Sequence, residues 1–261
     1  MNHWLSRSTL SLVLDVSFTA CAGDGGDPLP PNTDPCPVAK AGEDDSFALC
    51  KTSVTYVESL DLLVFEQDVR GVAGATTPVA VGQLDGAPVL GYAFPTTLKA
   101  EDVGFSAVEG IVALAVTAHP DFDDTPLWDE NNSGRYDDDG VVFHPHWVVL
   151  NPDDRAPKGL AVKEIAAGAD VTLPPTNPGM PMYMDSPGFS VTLRDHVLRV
   201  LVPAKRVNGK VDFHFDGVTA LMKVVMDPAK PMLGVYEVYS VQSGDLSLPF
   251  ATTHRTGDVL Q

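Results

Sequence analysis

Hydrophobic positions along this chain fall in short runs with a period near two, and no long stripe of helical spacing stands out. Residues 52–66 carry β-branched and aromatic side chains in partial alternation, the pattern of a half-buried strand. Comparable runs follow at 79–82, 89–94, 110–118, 141–150, 189–193, 197–202, 210–215 and 233–241. Each is bounded by Gly, Pro, Asn or Asp, as at Asp85-Gly86, Asn208-Gly209 and Asp216-Gly217. This spacing predicts an all-β protein: a single β-sandwich or barrel-like domain over residues 50–261. Val207-Asn-Gly-Lys210 is the strongest hairpin turn, because Asn-Gly readily supplies the two positive φ angles of a type I′ turn. Short helices are expected at most at 158–168 and 217–226, the second being equally readable as a strand. No internal repeat or second linker divides the domain.

Composition supports that reading. The 261 residues include 22 Gly and 22 Pro, a share suited to many turns, while 44% hydrophobic and 20% charged residues are ordinary for a globular chain. The formal charge of −18 repels phosphate backbones and attracts cations, which argues against nucleic acid as a partner.

The amino end has the organisation of an address. Residues 1–9 contain Arg7 and no acid, residues 10–20 are mainly apolar, and Phe18-Thr-Ala-Cys21 follows. This resembles a bacterial lipoprotein signal, with two departures: Phe18 stands where Leu is more usual, and Asp15 interrupts the apolar run. The resemblance implies that residues 1–20 are a signal peptide and that Cys21 is lipidated. The protein would then be exported to the bacterial cell envelope, in the periplasm or on the cell surface, and would meet the membrane only through its lipid. No other stretch has the roughly 18 uninterrupted apolar residues of a spanning helix. Residues 21–49 begin with a segment dominated by Gly, Pro and Asp, which buries too little apolar surface to offset its ordering entropy and reads as a disordered tether. Lipidation of Cys21 would leave Cys36 and Cys50 as the remaining two of three cysteines, a disulfide pair in an oxidising compartment.

Two groups of side chains suggest metals. Residues 121–140 hold eight carboxylates. Among them Asp129, Asn131, Ser133 and Asp137 occupy positions 1, 3, 5 and 9 of a twelve-residue loop, with Gly134 at position 6. The spacing is similar to an EF-hand-type calcium loop, in which Arg135 would offer its backbone carbonyl. Gly140 replaces the usual bidentate Glu at position 12, so Asp139 or an acid outside the loop would substitute. A structural calcium ion is the expectation, with a solvated acidic turn as the alternative.

His144 and His146 lie two apart in a strand-like run and therefore share a face. The string His144-Pro-His-Trp147 resembles the zinc-binding strand of the α-carbonic anhydrases, which implies a third His roughly two dozen residues later. Near there the chain reads Ala167-Gly-Ala-Asp170, so His119, His196 or His214 would have to complete a site through the fold. Met180, Met182 and Met184 alternate and would align three thioethers on an extended backbone. Thioethers with imidazoles favour Cu(I), though methionines also serve as packing. His214 lies between Asp212 and Asp216, which can orient an imidazole or simply face solvent. The chain has no Gly-x-Ser-x-Gly, phosphate loop or dinucleotide fingerprint, and no motif demands catalysis. Three functions fit: an envelope protein binding structural calcium and a soft metal such as copper, a zinc-dependent hydrolase or lyase, or a calcium-stabilised structural or adhesive module.

Overall fold

The computed structural model describes residues 36, 44–79, 84–119 and 142–257. The signal segment, Cys21 and the calcium-loop candidates Asp129, Asn131, Ser133, Arg135, Asp137 and Asp139 lie outside the described residues. Asp34–Gln261 forms one compact unit. Its strands are β1 (Leu49–Val57), β2 (Leu62–Val69), β3 (Pro88–Pro95), β4 (Ile111–Ala118), β5 (His144–Pro152), β6 (Leu160–Val162) and β7 (Met184–Asp185). They continue with β8 (Ser190–Arg194), β9 (Val197–Pro203), β10 (His214–Phe215), β11 (Val218–Val224), β12 (Leu233–Val241), β13 (Phe250–Ala251) and β14 (Thr253–Arg255). The all-β expectation holds, and the helical segments described are 3-10 turns of three or four residues.

Several local expectations change. The run at 52–66 is a hairpin and not one strand: a 3-10 turn at Glu58–Leu60 separates β1 from β2, and Asp61 takes a left-handed φ of 51°. Asp tolerates that conformation better than a β-branched residue. Of the 79–82 run, Val79 is exposed and outside any strand. The 210–215 run shortens to the two residues of β10. The helix options at 158–168 and 217–226 are replaced by β6 and β11. Asn208 and Gly209 do have positive φ, at 53° and 71°, but they terminate a 3-10 turn and do not join a hairpin. The strands on either side pair elsewhere, β9 with β2 and β8, and β10 with β13.

Two sheets dominate. One has the order β14-β1-β2-β9-β8. The other has the order β4-β3-β11-β12-β6-β5, and a further β4–β5 pairing closes it into a ring of six strands, with β7 added beside β5. Closure removes the exposed edges that would otherwise invite further pairing. It also gives β3, β4 and β5 two buried faces, so β4 reads Ile111-Val-Ala-Leu-Ala-Val-Thr-Ala118 with seven buried residues in eight. On the outer face Tyr92, Phe94, Leu114, Val116, Trp147 and Val149 pack against Phe65, Val54, Leu198 and Val200 of the five-stranded sheet. On the inner face Val89, Ala113, Ala115, Val148, Val162, Val224 and Leu233 form a second cluster inside the ring.

The segment before β1 belongs to this body. Phe47 is 1% exposed and stacks on Tyr92 and Tyr239, with centroids 5.1 and 5.3 Å away. The Tyr92 hydroxyl donates to the Ser46 carbonyl and accepts from the Gly74 amide, so a buried polar group is satisfied twice. Burial pushes the Tyr92 phenol up to about 12. Residues 46–49, part of the stretch that composition assigns to the tether, are therefore buried. The expected Cys36–Cys50 disulfide is present and ties residue 36 to β1.

Closing a loop of this length removes about 3 kcal/mol of unfolded-state entropy. Cys36→Ser with Cys50→Ser is expected to lower the urea midpoint by an amount equivalent to about 2–4 kcal/mol, measured at constant m-value.

Candidate metal centre

The strand period and one pairing register assemble the site. In β4 the positions facing into the ring are Ala113, Ala115 and Thr117, and the same alternation carried one step past the strand end reaches His119. In β5 the inward positions are His144, His146, Val148 and Leu150. The antiparallel register sets Thr117 opposite His144 and Ala115 opposite His146, which brings His119 beside the pair. Gly91 lies opposite Thr117 on β3, where an added Cβ would come within 3.1 Å of the threonine methyl. The bare backbone there allows the strands to close at this end of the ring.

His119, His144 and His146 are 3%, 4% and 3% exposed. One ligand nitrogen from each lies within 4.8 Å of the others, so the three can hold a metal ion. The Nε2 atoms of His119 and His144 are 3.0 Å apart. A tetrahedral ion with bonds of about 2.0–2.1 Å would set its nitrogens roughly 3.3 Å apart, so this pair needs only a small displacement. The other nitrogen of His144, Nδ1, is 2.7 Å from the Val142 carbonyl and donates to it, which makes Nε2 the acceptor nitrogen of the neutral ring. Nδ1 of His146 meets the Ser186 hydroxyl at 3.0 Å. Metal-binding histidines are commonly fixed in this way through the ring nitrogen that does not face the ion.

The surroundings are apolar and contain sulfur. His119 and His146 line a cavity of about 30 Å³ together with Thr117, Met180, Met184 and Met222. At roughly 10–15 Å³ per water, the space admits about two or three waters. Burial is the main cause holding His146 well below the usual histidine pKa of 6.5, and repulsion from His144 and His119 adds to it. Next to Ser186, Asp185 is fully buried and its carboxyl is raised by that burial. Its partners are the Thr176 hydroxyl and, at 4.0 Å, the Arg206 guanidinium.

The candidate residues divide as follows. His144 and His146 share the inward face of one strand, as their spacing implies. The third imidazole is His119, just past the end of the strand before them, and not a residue downstream as the α-carbonic anhydrase resemblance implies. Met180 and Met184 line the same cavity, while Met182 is buried in the inner cluster without lining it. The three methionines approach β7 through successive tight turns, the Met182 amide bonding to the Met180 carbonyl and the Met184 amide to the Met182 carbonyl. His214 is exposed on β10 and lies outside the cluster, and His196 is exposed in the turn between β8 and β9. Ser186, Thr117 and Met222 are the participants that sequence reading misses. Only the fold brings them to the histidines, and no local motif marks them.

No protein-family model, curated protein or solved structure matches the chain. The feature that points to a function is a closed β-ring with a buried trihistidine cluster at its inner face.

Because the folded state keeps His146 neutral and the unfolded chain protonates near pH 6.5, unfolding takes up protons below that pH. Metal-free protein is expected to lose thermal stability steadily as pH falls below about 6.5 and to show no such contribution above it. His146→Leu should flatten that slope in melting curves recorded from pH 7.5 to 5.

Proposed function

We propose that this chain is an exported metal-binding protein of the bacterial envelope, whose ion is held by His119, His144 and His146. The observation that carries the reading is the convergence of three buried imidazoles, two of them fixed by partners on their Nδ1 atoms. A cluster of three polar rings enclosed in an apolar core contributes little to stability by itself, and a cation gives it a purpose. Copper(I) is the preferred ion. A single positive charge costs less to bury in apolar walls than the double charge of zinc, and the thioethers of Met180 and Met184 line the same cavity. Export is supported by the disulfide, which suits an oxidising compartment, together with the lipoprotein-like amino end and Cys21. The loop at Asp129–Asp139 would add a structural calcium ion, consistent with the strongly negative charge.

A second reading, zinc-dependent hydrolysis or hydration, is favoured by one observation: two of the three clustered imidazoles, His119 and His146, line a cavity with room for a water-sized fourth ligand.

Competitive dialysis of the mature protein against equal free Cu(I) and Zn(II) separates the two. One equivalent of copper is expected, falling to background in His144→Ala/His146→Ala; a full equivalent of zinc would select the second reading, and retention of metal by the double variant would end both. Ser186→Ala should weaken metal affinity by about 10–100-fold, measured by competition with a chromophoric chelator. For the calcium loop, chelator should lower the melting temperature of wild type but not of Asp129→Ala/Asp137→Ala.

A further inference from the structure

The six-stranded ring is hollow at the end away from the histidines. A ring of this size has a narrower bore than eight-stranded barrels, whose interiors are just wide enough for side chains or one small ligand. Open space here therefore requires small residues. Ala93, Ala113, Ala115 and Ala220 supply it on β3, β4 and β11. They line a chamber of about 300 Å³ whose other walls include Val148 and Leu150. An apolar cavity of roughly 150 Å³ already takes up benzene, so this volume matches a larger single molecule and exceeds a packing defect.

The chamber opens beside the segment Gly244, Asp245 and Leu246. Leu246 and Leu248 both have left-handed backbones there, with φ of 60° and 54°, which bulky residues rarely adopt. The turn is held by the Ser243 hydroxyl, which donates to the buried Asp216 carboxylate and accepts from the Leu246 amide. The structure thus fixes a leucine in an unfavourable conformation at the mouth of an apolar chamber. At its inner end the chamber shares Ala115, Val148 and Met222 with the smaller histidine-lined cavity, and Val148 is two positions along β5 from His146.

We propose that the ring binds one small, uncharged, apolar molecule, an aliphatic or aromatic compound that enters past Leu246 and lies along the bore toward the histidines. Apart from Asp245 at the mouth, which disfavours anions, the chamber's side-chain walls carry no charge to replace the hydration of an ionic group. A peptide would bring backbone polar groups that these walls cannot satisfy. The inference does not depend on metal binding, because the chamber is walled by residues other than the histidines.

The test uses chelator-treated mature protein and the uncharged fluorescent probe N-phenyl-1-naphthylamine. Saturable enhancement at one site per chain, reversed by 1-octanol, is expected. Ala113→Leu with Ala220→Leu should weaken the probe at least tenfold while circular dichroism is unchanged. Non-saturable fluorescence in wild type, or undiminished binding by the folded filled variant, would overturn the proposal. Should the filled variant not fold, Leu246→Gly provides a separate check: it relieves the left-handed leucine and opens the mouth, so stopped-flow association should be several-fold faster. An unchanged rate would overturn the route of entry. Since metal is absent throughout, failure here leaves the trihistidine reading standing, and failure of metal uptake leaves this one standing.

Discussion

The pairing of β4 with β5 is the constraint on which the rest of the molecule depends. Without it the second sheet would be an open ribbon with Ile111–Ala118 at its edge, a flat and almost wholly apolar strand of the kind that aggregates. With it, each strand of the pair divides its residues between two cores. Leu114 and Trp147 face the aromatic layer shared with the five-stranded sheet, while Ala115 and His146 face into the ring. The same register places His119, His144 and His146 within reach of one another. Fold and site are therefore consequences of one set of backbone hydrogen bonds, and a one-residue slip would turn the histidines into the aromatic core.

Three imidazoles in such a place oppose stability in the metal-free protein. Burial disfavours the charged form of His146, and the neighbouring His144 and His119 add to that, so the unfolded chain gains a proton there that the native state refuses. The arrangement survives because the rings are hydrogen-bonded, His144 to the Val142 carbonyl and His146 to Ser186, and because the surrounding apolar packing is extensive. Sites that cost local stability while keeping fixed geometry are where function is concentrated.

The strands were legible because each carries its own period and its own turn residues. Residues 89–94, 110–118, 197–202 and 233–241 fall almost wholly inside β3, β4, β9 and β12. Failures occurred where local preference and tertiary pairing diverged. Val218–Val224 spaces its apolar residues compatibly with either a helix or a strand, and β3 and β12 on its two sides decide for strand. Asn208-Gly209 adopts the predicted φ signs, yet the chain leaves one sheet there for another, and dihedral preference carries no information about partners. The pair His144 and His146 was visible because the strand period is local. His119 is 25 positions before His144, and only the register of β4 on β5 makes them neighbours.

The two halves of the bore also explain one another. Toward the histidines the wall residues grow, with Met222, Val224, Val162 and Leu233 crowding the cavity to about 30 Å³, whereas toward Leu246 alanines widen it to about 300 Å³. A ring filled evenly along its length would maximise dispersion and leave no void, which is the arrangement that stability alone favours. The taper instead sets polar, ligand-competent nitrogens at the narrow end of an apolar passage. Water reaching them is limited to about two or three molecules, and a low dielectric strengthens whatever those nitrogens bind. An ion held there would sit behind apolar walls, and the wider space beyond them exists because Ala93, Ala113, Ala115 and Ala220 keep small side chains on that stretch of the ring.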